Sequence, residues 1–113
     1  MTGRTASLED LGNSVRQRVL RSGVLAPQIR AVALRIGGDP DSAEQIPEPQ
    51  DSLVRQVGRA SHLVTDEQVD AVRSATGTDR ATFELVLAAS IGAGLARWDA
   101  AISAIERASD APG

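Results

Sequence analysis

Leu8, Leu11, Val15, Val19 and Leu20 recur at three- and four-residue spacing and predict a first amphipathic helix. Ser7 suits its N-cap, with Glu9 and Asp10 in the first turn against the positive helix end. Ser22 and Gly23 stop it. Pro27 opens a second helix, because its missing N–H would go unpaired in a first turn anyway. Ile29, Val32, Ala33 and Ile36 give this helix an apolar face, and Gly37 and Gly38 end it. Apolar spacing resumes with Leu53, Val54, Val57 and Ala60, which predict a third helix over about 51–62. Thr65 and Gln68 then form a capping-box pattern around Asp66 and Glu67, and a short helix carrying Val69 and Val72 runs to Gly77.

The longest pattern follows, over about 79–108, with Thr78 or Asp79 as its cap. Ala88, Gly92, Ala96, Ala100 and Ala104 lie four apart, beside Phe83, Leu87, Ile91 and Leu95 and then Trp98, Ile102 and Ile105. Small residues at that spacing let a neighbouring helix approach closely, and large and small residues on several faces make this the central helix. The fold expected is an all-α bundle of about five helices around one long central helix, completed by oligomerisation.

Residues 39–51 (DPDSAEQIPEPQD) break the helical rhythm. They hold three prolines, five acids and no base, with Ile46 the only large apolar residue. This segment reads either as a mobile linker or as an extended strap held by Ile46 and the prolines. It divides an N-terminal basic helix pair (1–38) from a helical core (52–113) within what reads as one folded unit.

Charge sharpens that division. Residues 1–37 carry six arginines against Glu9 and Asp10, a balance of +4, whereas 38–113 carry a balance of −7. A basic helix pair docking on an acidic body, in the same chain or a second copy, accounts for this; a surface for nucleic acid or acidic lipid is the sharper alternative. The overall charge of −3 and the absence of aromatics among those arginines disfavour nucleic acid. No uninterrupted run of about 20 apolar residues is present, and Met1 to Thr5 lead into no apolar signal core, so the expectation is a cytoplasmic protein without a membrane partner.

The residues missing from the chain limit its chemistry most. Without Cys there is no thiolate nucleophile, redox pair or thiolate metal ligand. All twelve basic residues are Arg, so no Lys serves as a Schiff base; Tyr is absent, and His62 is the single histidine. Carboxylates, hydroxyls, arginine and one imidazole remain. His62, near the end of the third helix, suits the negative helix end or a general acid. Glu84 sits on a mostly apolar helix face, to be paired by Arg80 four residues earlier or by an arginine of a neighbouring helix. Arg97, among small residues, suits an ion pair across an interface or an anionic ligand. Asp66, Glu67 and Asp70 are explained by their first-turn positions, and no metal or other cofactor is expected.

Three segments in order, IPEPQDSLVRQV (46–57), VTDEQVDAV (64–72) and FELVLAASIGAGLARWDAAI (83–102), resemble the carboxymuconolactone decarboxylase-like superfamily, which includes the alkyl hydroperoxidase D-type proteins. That resemblance implies an all-α bundle assembled into dimers, trimers or rings. The Cys-x-x-Cys-x-x-x-His motif of its peroxidase members has no counterpart here, and Glu84 belongs to the FEL segment rather than to the catalytic glutamate position. The expectation is therefore a non-catalytic, homo-oligomeric relative acting as an interaction or small-ligand-binding module, its partner a small anionic ligand or an acidic protein. The alternative is a cofactor-independent lactone or decarboxylase enzyme using Glu84, His62 and Arg97 at a subunit interface.

Overall fold

A computed structural model describes residues 2–21 and 23–110, with side chains from 8–17 and 23–110. It contains five helices and, among the described residues, no strand: α1 (Thr2–Arg21), α2 (Pro27–Gly38), α3 (Gln50–Ala60), α4 (Asp66–Thr76) and α5 (Asp79–Asp110), with a 3-10 turn at Ser61–Leu63 between α3 and α4. The all-α expectation holds. At 32 residues α5 is about 48 Å long, and it accounts for most of the 55 Å long dimension of the molecule.

The caps follow local chemistry. Thr65 accepts from the Gln68 N–H at 3.2 Å while the Gln68 side chain accepts from the Thr65 N–H at 3.0 Å, so the capping box forms in full. Gly77 ends α4 at φ +83°, a left-handed position where a Cβ would be strained. Thr78, not Asp79, caps α5, its hydroxyl accepting from the Ala81 N–H at 3.1 Å. The start of α1 differs from the expectation: the helix begins at Thr2, so Ser7 lies within it rather than capping it. Nothing between Thr2 and Ser7 breaks a helix except the mild penalty of Gly3, and a cap-forming residue does not by itself end one. The expected contacts of Val19 and Leu20, and Ser22 as a stop, lie outside the described residues.

Packing centres on α2 against α5, the most extensive helix pair in the molecule. A Cβ placed on Gly92 would lie 2.8 Å from the Leu34 carbonyl carbon and nearer still to its oxygen. Gly37 meets Ala89 in the same way. The small-residue stripe therefore does what its spacing suggests, and the helix that comes close is α2 of the same chain. Each helical glycine costs about 1 kcal/mol in propensity, and backbone-to-backbone contact offsets it at Gly92. Around that crossing Ala33, Ile36, Leu53, Val54, Val57, Val72, Leu85, Ala88 and Ala89 form a continuous core. Elsewhere α1 lies along the C-terminal half of α5, with the Trp98 indole N–H donating to the Leu8 carbonyl at 3.2 Å.

The segment 39–49 is a strap, and its organiser is a residue outside it. Arg55 donates to the carbonyls of Pro40 at 2.6 Å and Ser42 at 2.9 Å, and to that of Glu44. Its Nε also binds the Asp51 carboxylate at 2.7 Å, whose other oxygen receives the Ile46 N–H at 3.2 Å. Ile46 is thereby pinned into the core at 7% exposure, ahead of a cis peptide bond between Glu48 and Pro49. One planar guanidinium replaces the backbone partners that an irregular segment lacks.

Candidate functional site

A dense polar cluster lies where the α1–α2 connection meets α5. The Glu84 carboxylate accepts the Val24 N–H at 2.8 and 2.7 Å and the Leu25 N–H at 3.0 Å. Arg30, almost fully buried, stands 3.6 Å from it and also donates to the Leu25 carbonyl. Arg80 approaches from its own helix at 3.4 Å, so both arginine sources anticipated for Glu84 are present. Gly23 permits this convergence. Its φ is +149°, and a Cβ there would fall 2.6 Å from the Arg30 guanidinium and 2.7 Å from the Glu84 carboxyl carbon. The Val24 N–H first, then Leu25, Arg80 and Arg30, hold the Glu84 carboxyl below its usual range, against the opposing effect of burial. A carboxylate so stabilised, with its lone pairs taken by two backbone amides and two arginines, is a weak base. Its chemistry here is that of a latch joining α5 to the start of α2.

The other two candidate residues lie elsewhere. Glu84 and Arg97 sit thirteen residues apart on one unbroken helix, about 20 Å along its axis and roughly 140° around it, so they do not share a pocket within a chain. Arg97 is exposed. His62 is exposed as well, in the 3-10 turn just past the end of α3 rather than inside that helix. Asp66 and Glu67 occupy the first turn of α4, and Asp70 pairs with Arg73 at 2.8 Å.

The N-terminal arginines whose side chains are described are matched by acids of the rest of the chain. Arg16 binds Asp99 at 2.6 Å, Arg35 binds Glu44 at 2.7 Å, and Arg30 faces Glu84. For these three arginines the uneven charge along the sequence is an intramolecular match. Two clefts flank this region. One of about 300 Å³, between α1 and α5, is lined by Glu9, Asn13, Arg16, Asp99 and Glu106, an acid-rich wall ill suited to an anion. The second, about 190 Å³, lies at the α1–α2–α5 junction beside Gly38 and Gly92, and its arginines are already paired.

What sequence reasoning did not find is Arg55 and Arg30 as the cations that organise irregular backbone. The Asp51–Arg55 spacing of four was the available signal for the first; for the second there was none, because Arg30 meets Glu84, a residue of a helix far along the chain, only through the fold.

The remaining surface feature is apolar. By length and composition α5 qualifies as a helix able to cross a membrane, with mean hydropathy 1.4 over its most apolar window, a test that the core helix of a soluble protein also passes. Only 33% of that window is buried, so a core role does not use all of its apolar surface. Phe83, Leu87 and Ile105 remain 64%, 41% and 49% exposed. Comparison of the chain with family models, with curated proteins and with solved structures finds no match in any of the three.

Proposed function

We propose that this chain is a non-catalytic helical interaction protein that works as an oligomer. A distant kinship with the carboxymuconolactone decarboxylase-like superfamily belongs to the same reading and rests on the three short sequence segments alone. The observation that carries the proposal is how the polar groups are used. Glu84, a carboxylate aimed into a constricted site, has its acceptor capacity filled by backbone amides and arginines. Arg97 and His62 face solvent on separate elements, while a long apolar helix keeps large side chains exposed. Groups held this way support folding and contact better than proton transfer.

The test joins mass to turnover. Light scattering should give a mass above one chain, and the purified protein should show no turnover of a hydroperoxide with a dithiol reductant or of an unsaturated lactone carrying a carboxylate. Turnover abolished by His62→Ala or Arg97→Ala would overturn the non-catalytic reading.

A further inference from the structure

The face of α5 turned away from α2 has its own order. Phe83, Leu87, Gly94, Ala101 and Ile105 fall within about 40° of one another at 100° per residue, a stripe about 33 Å long. Phe83, Leu87 and Ile105 are its exposed large members, and Arg97 at its edge is the only charged residue beside it between Phe83 and Ile105. Gly94 lies at its midpoint. Unlike Gly92, whose missing side chain makes room for Leu34, Gly94 has no atom within 4 Å of where a Cβ would stand. No described residue of the chain uses that gap.

We infer that this stripe is where a second copy of the chain docks, with the two α5 helices antiparallel across a two-fold axis at Gly94. The inference rests on the proposal of an oligomeric interaction protein and specifies its surface and geometry. Size complementarity sets the direction. Antiparallel pairing about Gly94 places Leu87 against Ala101 and Phe83 against Ile105, whereas parallel pairing would stack Phe83 on Phe83 and leave Ala101 facing Ala101. Area fits a weak dimer. About a third of the accessible surface of each helix over the 33 Å stripe gives roughly 900–1,000 Å² buried in total, below the about 1,200–2,000 Å² of stable interfaces and within the range of weak, transient ones. A contact of this size is concentration-dependent rather than permanent.

The absence of cysteine makes the register directly readable. Gly94→Cys should oxidise to a covalent dimer, because Cα atoms on the two-fold axis come within disulfide reach of about 4.4–6.8 Å. Ala101→Cys should not, since its two copies would stand about 21 Å apart along the axis. In sedimentation equilibrium the wild-type chain should self-associate, and Leu87→Glu should weaken this at least tenfold with an unchanged helical circular dichroism spectrum. An oligomer that survives Leu87→Glu and fails to cross-link at Gly94→Cys overturns this surface but leaves the oligomeric reading standing. Cross-linking at both positions overturns the antiparallel direction. A chain that is monomeric at every concentration, including one that instead floats with phosphatidylcholine vesicles, overturns both the dimer and the oligomeric reading.

Discussion

Gly37 of α2 and Ala89 of α5 meet backbone to backbone, so closely that a Cβ on the glycine would lie 2.7 Å from the Ala89 Cα. This contact, with that of Gly92 on Leu34, sets how near α2 approaches the central helix. The α2–α5 crossing is the part of the fold least able to absorb an added methyl group.

Gly37→Ala and Gly92→Ala should each destabilise the protein by about 1–3 kcal/mol, because the helices must move apart to admit a side chain. Gly94→Ala on the same helix meets no neighbour and should raise stability by up to about 1 kcal/mol in dilute solution, where helix propensity alone decides. Chemical denaturation of the three variants checks this; equal effects at positions 92 and 94 would contradict the close crossing.

Glu84→Gln should cost about 1–3 kcal/mol near neutral pH, since an amide replaces a carboxylate that accepts two backbone N–H groups beside Arg30. The sign of its pH dependence follows from the lowered folded-state value. The unfolded chain takes up its proton first as pH falls through about 4.3, so the carboxylate's contribution is full above that point and fades below it. The stability gap between wild type and variant should therefore be constant at pH 6–7 and narrow below about pH 4.5. A gap that widens on acidification would show that Glu84 is not held as an anion.

Arg55→Ala should free the strap rather than unfold the bundle. Hydrogen exchange at the Ile46 amide, which donates to Asp51, should accelerate about tenfold or more while the α5 core retains its protection. Arg55→Lys should not restore it, because an ammonium lacks the planar fork that reaches three carbonyls and a carboxylate together. Restoration by lysine would reduce the role of Arg55 to its charge.

Thr65→Ala should cost about 1 kcal/mol through loss of the capping box. Arg16→Ala, which removes a partly exposed pair with Asp99, should cost less than about 1 kcal/mol. Thermal unfolding of the two variants should rank them in that order, and the reverse would mean that α1 is anchored chiefly by charge.

The elements that could be read in advance are those governed by neighbours a few residues away. Thr65, Gln68 and Gly77 specify the ends of α4 through bonds that span at most four residues. The four-residue spacing from Ala88 to Ala96 announced a close helix approach for the same reason. Ser7 misled because a residue suited to a cap is also tolerated within a helix. The strap at 39–49 was ambiguous because its composition cannot show that Arg55 will span 11 to 15 residues to satisfy its carbonyls.

The sequence by itself determined an all-helical chain without thiol, lysine or phenol chemistry, with one long helix patterned on more than one face. Those properties follow from residue identity and from periodicity, which act locally. Only the tertiary structure decided that α2 fills the small-residue groove, that Glu84 is a latch, and that Glu84 and Arg97 stand apart. Each of these joins positions brought together by chain folding, where burial and carbonyl geometry select partners that no spacing along the sequence encodes.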